Sequence, residues 1–246
     1  MTISRFTCVT CLSLGLTLAL TGIAILPACA MDVSSRPQTS GLTLQEPQAR
    51  LKLRLVPGST LATGYHSAFY FQDTTTGAVT LQTDGLQPSI RGQTAPATVL
   101  REGHAWYAQQ TPAIMNASLR IDTWPADQRV IIGRIQSANG PVVELVADGK
   151  RSQVIALVHD GSRTRHITAG TIFPDRRISY EISSNPSGAL QTVVNGTRSI
   201  LPMPPAATTP AMWFEAVSGQ TGWHMPCHHD IARVTFTALD IQHPVQ

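Results

Sequence analysis

The sequence predicts an all-β fold in which two antiparallel sheets pack as a sandwich. Three observations predict it. Apolar residues recur at every second position in many short runs. Gly, Asp, Asn and Pro punctuate those runs. Beyond the N-terminal leader, no segment carries the period of a useful amphipathic helix.

The first element is a targeting segment. Arg5 supplies a positive start, and Leu12 to Leu26 is almost wholly apolar or small. The run is too short and poorly flanked for a good membrane span, so residues 1–30 read as a signal peptide. Ala28-Cys29-Ala30 offers an A-x-A-like cleavage site, and Leu26-Pro27-Ala28-Cys29 resembles a lipobox. The expected location is periplasmic or extracellular, or the outer membrane if Cys29 carries a lipid; that lipid is the one membrane contact foreseen. Cys8, Cys11 and Cys29 lie in this segment, so only Cys227 is certain to remain. No internal disulfide is then available, and a large core must stabilise the mature chain.

Residues 31–50 read as a flexible segment, because Asp32 to Gln48 is polar and rich in Pro, Ser and Thr. Residues 51–246 read as one domain. Its strands follow in order: Ala78 to Thr83, Asn116 to Asp122, Arg129 to Gln136, Val142 to Val146, Val154 to Val158, Ile178 to Ile182, Gln191 to Val194, and Arg233 to Ile241. Asp148-Gly149 should join two of them as a hairpin, and Asn195-Gly196 should turn another. Leu201 to Pro210 holds four prolines and reads as a loop. Many evenly spaced strands around one core imply a jelly-roll or Greek-key sandwich.

The net charge is +3, and lysine appears only at Lys52 and Lys150, so the positive charge is nearly all arginine. Arginine grips carboxylates with two parallel donors, which suits an anionic polysaccharide; a compositional bias of the genome is the alternative source. No basic run with interleaved aromatics points to nucleic acid.

Three segments carry a resemblance. They are Pro96 to Glu102, Val130 to Gln136 and Trp213 to Val217. In order and spacing they are similar to P-R-S-E-L-R-E, V-V-I-G-Q-I-H and Y-F-K-A-G-x-Y-x-Q of polysaccharide lyase family 7, the alginate lyases. Phe69 to Asp73, Ile178 to Ile182, Val193 to Gly196 and Val234 to Leu239 resemble further family strands, so the likeness spans roughly residues 69–242. It implies a two-sheet antiparallel β-jelly roll with a concave groove for uronate polymers such as alginate, acting as a monomer without cofactor.

Elimination at a uronate needs its carboxylate neutralised, a base, and an acid for the departing oxygen. The family assigns these tasks to the Arg, Gln, His and Tyr of its signatures. Here Ala97 and Val99 replace an arginine and a glutamate, while Leu100, Arg101 and Glu102 match. Arg134 replaces the glutamine and Gln136 the histidine. Glu215 replaces a lysine. The tyrosine position falls on Gly219, or with a one-residue gap Gln220 takes the following glutamine's place. Arg134 and Gln136 lie two apart on a strand and should share a face. Neither serves as a base near neutral pH.

The resemblance therefore implies substrate contacts at Arg101, Arg134, Gln136, Gln220 and Trp223. Glu102 is a possible internal partner of Arg101. A replacement base is available in His224, His228 or His229, within a loop that also holds Cys227 and Asp230. That loop matches no zinc signature, and no metal is assigned. Of the other tryptophans, Trp124 and Trp213 read as core and Trp106 as a further ring able to stack on sugar; His104 and Tyr107 flank the groove rim. Two functions fit these residues. One is a divergent lyase with a rearranged acid/base pair; the other is a non-catalytic binding or structural protein of the envelope.

Overall fold

The computed structural model describes residues 36–48, 52–85, 96–108, 110–161, 163–185, 187, 189–202, 210–221 and 230–244. The described chain is a sandwich of two antiparallel sheets, with a single four-residue helix, α1 (Gly58–Leu61). The strands are β1 (Leu42–Gln48), β2 (Lys52–Pro57), β3 (Tyr70–Gln72), β4 (Val79–Asp84), β5 (Ala97–Glu102), β6 (Ala113–Thr123), β7 (Arg129–Ser137) and β8 (Gly140–Asp148). They continue with β9 (Gln153–Asp160), β10 (Arg163–Thr171), β11 (Arg177–Ser184), β12 (Leu190–Val194), β13 (Thr197–Leu201), β14 (Met212–Gln220) and β15 (Ile231–Gln242). The first sheet has the order β10-β9-β8-β7-β14-β5-β1-β2, the second β13-β12-β11-β6-β15-β4-β3.

Alternation decides which side chains fill the space between the sheets. On β14, Met212, Phe214 and Ala216 point into the main core, as do Ile178, Tyr180 and Ile182 on β11. The Tyr180 hydroxyl donates to the backbone carbonyl of Ile132, and its ring packs where a Cβ on Gly133 would sit. Gly133 thus lets the second sheet approach β7 closely, beside a register shift between Ile131 and Gly133. Asp148-Gly149 joins β8 to β9, with Asp148 paired to Gln153. Asn195 (φ 47°) and Gly196 (φ 84°) turn β12 into β13, both left-handed as a tight hairpin requires.

The domain starts earlier than the sequence predicts. Leu42–Gln48 is no tether: it pairs with β5 on one side and β2 on the other. The alternation of Leu42 and Leu44, both buried, was masked by the polar residues around them. β13 likewise takes the first residue of the expected Leu201–Pro210 loop; residues 203–209 lie outside the described residues.

Candidate functional site

A second apolar cluster, separate from the main core, marks the outer face of the eight-stranded sheet. It holds Ala97, Val99, Ile131, Val146 and Val217, with Leu157 packed against it. Val99 and Val217 alternate with the core residues Leu100 and Ala216, so they point away from the second sheet. Gly219 belongs to the same face. A Cβ there would stand 3.0 Å from Val217 Cγ1 and 3.2 Å from Ala97 Cβ. The position that the family fills with tyrosine is therefore a tight apolar spot.

Beside this cluster runs a cross-strand row that is polar except at Leu157. Register places Thr43, Arg101, Glu215, Arg134, Glu144, Leu157 and His166 side by side from β1 to β10. Arg134 is at its centre. Its Nε donates to Glu215 Oε2, and its Nη1 stands 3.8 Å from Glu144 Oε1. Glu215 also accepts from the Trp213 indole N–H at 2.8 Å. Glu144 Oε2 lies 3.0 Å from His159 Nε2, whose Nδ1 meets the Thr164 hydroxyl at 3.2 Å. Arg134 and Glu215 are buried, at 5 % and 2 % exposure. Their opposite charges sit on neighbouring strands, where cross-strand pairing stabilises the sheet.

Arg134 and Gln136 do share this face, as their spacing predicts. The structure gives Arg134 a role the sequence reading missed: it is held by two carboxylates of its own chain. The signal was present, because a glutamine-to-arginine and a lysine-to-glutamate replacement face each other across β7 and β14. Glu144, His159, Thr164 and His166 carried no comparable signal, since they lie outside the three signatures. Arg134 Nη2 and Gln136 Oε1 make no hydrogen bond, leaving one buried donor and one buried acceptor two residues apart.

Arg101 is half-buried and stacks over Trp213, with the guanidinium carbon 3.9 Å from the ring centroid. Trp213, expected in the core, lies on the outer face, because it alternates with the core residue Phe214. Trp106, by contrast, is buried at 1 % against Phe214 and presents no ring to a ligand. Trp124 packs against the core as expected.

Gln220 does not line this face. It is buried at 3 %, and its amide donates to the Asp230 carbonyl at 2.6 Å. The odd-numbered residues of β14 face outward, so an even-numbered Gln220 must turn inward, while Gly219 faces outward with Val217. Glu102 also fails to partner Arg101, because adjacent strand residues point to opposite faces. His104 and Tyr107 are exposed. Trp223, His224, Cys227, His228 and His229 lie outside the described residues. Among the described residues no group of three His, Cys, Asp or Glu side chains is placed to hold a metal ion.

No family model matches the chain, and no curated protein matches it. Solved structures do. An alginate lyase from Pseudomonas aeruginosa superposes with a TM-score of 0.75 at 25% identity, over 85% of this chain and 100% of that one. The family 7 alginate lyase A1-II′ superposes with a TM-score of 0.74 at 19% identity, over 87% and 99%. The alginate lyase from Klebsiella pneumoniae gives 0.67 at 16% identity, over 87% and 99%.

Proposed function

Since this chain has the jelly-roll fold of the polysaccharide lyase family 7 alginate lyases, we propose that it is an exported protein that binds an anionic, uronate-type polysaccharide on the outer face of its eight-stranded sheet, with elimination slow or absent. The observation that carries this reading is Arg101 stacked on Trp213. A guanidinium held over an indole face by a cation–π contact can still present N–H groups to a carboxylate. Gln136 lies across from Trp213 on the neighbouring strand.

The chemistry after binding is where the site falls short. Gln136 does not titrate, and Gly219 has no side chain to protonate a leaving oxygen. His159 has both ring nitrogens engaged by Glu144 and Thr164. It also stands four strands from Arg101, roughly 19 Å at about 4.8 Å per strand, whereas one uronate ring is only about 5 Å across. His166 is one strand further. Of the described histidines on β9 and β10, neither shares a sugar ring with Arg101.

The test has two arms on the mature protein. Binding of polyuronate oligomers is measured by calorimetry at low and high salt, with wild type and Arg101→Ala. The expected result is salt-sensitive binding that Arg101→Ala weakens by about 1–3 kcal/mol. Equal affinity in a folded Arg101→Ala variant, or no binding at all, overturns the site. In the second arm, ultraviolet absorbance of unsaturated product is followed on alginate, and little or none is expected. A robust rate that depends on His224, His228 or His229 overturns the claim of slow elimination.

A further inference from the structure

A cavity of about 340 Å³ opens at one end of the sandwich, lined by Leu42 and Glu102, which neighbour Thr43 and Arg101 of the polar row but carry the opposite parity. Gln38, Ser40, Glu102, His104, Asp240 and His243 supply its polar lining. Glu102 ends β5 and shares the parity of the core residue Leu100, so it points between the sheets. It is 5 % exposed, and neither carboxyl oxygen meets a donor at good hydrogen-bond geometry, although the Phe214 amide and the Trp106 indole lie near it. The nearest base is His243, with Nε2 3.5 Å from Glu102 Oε1. Both ring nitrogens of His243 are themselves buried without a hydrogen bond.

A buried carboxyl without a cation beside it in its cavity is costly to a fold. No lysine or arginine lines the cavity to offset it. Burial pushes Glu102 up to about 8, offset in small part by the Phe214 amide, the Trp106 indole and Arg101. His243 is held below its usual range by burial and by His104, whose ring centroid lies 5.3 Å away. His243 is thus neutral at pH 7 and presents an acceptor. Gln38 and Ser40 add acceptor oxygens at the rim. Each of these side chains can accept a hydrogen bond, and none carries a fixed positive charge.

We propose that this cavity is a binding site for a small primary amine in its ammonium form, with the nitrogen seated between Glu102 and His243. An ammonium group brings one positive charge and three donors, which match the orphaned carboxylate and the imidazole acceptor. The volume falls in the range of small-molecule sites. At neutral pH the ligand stays protonated, and the carboxyl of Glu102 loses its proton to solvent as the ion pair forms. Uptake of one amine therefore releases close to one proton.

Calorimetry of the mature protein with n-butylammonium chloride tests this, run at pH 7 in phosphate and in MOPS. The two buffers differ in ionisation heat, so the difference counts protons. Saturable binding with proton release is expected. Glu102→Gln should abolish the release and lower affinity by roughly tenfold or more. Tetramethylammonium, which has no N–H, and 1-butanol, which has no charge, should bind far more weakly. His243→Leu, which removes the second acceptor, provides a second variant should Glu102→Gln not fold. Absence of amine binding, affinity unchanged in both variants, or binding of zinc chloride in place of amines would each overturn the proposal. Polyuronate binding through Arg101 is measured separately and does not depend on this outcome.

Discussion

Arg134 offers the sharpest test of the polar row. Its side chain is 6% exposed, and its partners Glu215 and Glu144 are 3% and 12% exposed. Arg134→Met removes the charge but keeps much of the volume. Glu144 then retains His159, while Glu215 retains only the Trp213 indole N–H. Stranding one partner of a buried ion pair costs about 3–5 kcal/mol, a large share of the ~5–15 kcal/mol that holds an ordinary domain together. Removing both charges is different, since apolar groups of similar volume often replace a buried pair at little cost. Arg134→Met with Glu215→Leu should therefore recover most of the loss. Urea unfolding of wild type, both single variants and the double variant closes the cycle. Because the pair is dry, the coupling should change little between low and high salt. The reasoning fails if Arg134→Met stays within about 0.5 kcal/mol of wild type, or if the single losses simply add in the double variant.

Other expectations follow from single positions. The folded-state pKa of Glu102 is raised to about 8, so the buried neutral acid favours the native state fully below pH ~4.5, and that advantage is lost as pH rises through 8. Urea midpoints at pH 5 and pH 8.5 should then fall further for wild type than for Glu102→Gln; parallel curves would remove the argument. Gly133→Ala places a Cβ on the Tyr180 hydroxyl and disturbs its bond to Ile132, so a loss of about 1–3 kcal/mol in thermal or urea unfolding is expected. Export predicts a mature start near Cys29 to Met31 in mass spectra of the native protein, with a lipid mass only if Cys29 is acylated; an intact Met1 would refute it.

The strand periodicity, the Asp148-Gly149 and Asn195-Gly196 turns and the shared face of Arg134 and Gln136 were all legible in the sequence, because each depends on neighbours in the chain. β1 was not, because Leu42 and Leu44 are too few apolar residues to stand out in a polar stretch. The inward turn of Gln220 and the outward turn of Trp213 needed the parity of β14, which the family alignment left open by one residue. Glu144 and His159 join the row only through pairings of β8 with β7 and β9. Glu102 and His243 meet through packing between β5 and the end of β15, which no local pattern encodes.

The last two strands each occupy the middle of a sheet. β14 separates β5 from β7, and β15 separates β4 from β6. Until residues 212–242 emerge, neither sheet is continuous, and each has two inner edges with unpaired backbone groups. Folding must wait for the C-terminus, and contacts so distant in sequence close slowly. That delay exposes the nascent chain: a product truncated before residue 212 would present four bare strand edges, each a template for aggregation.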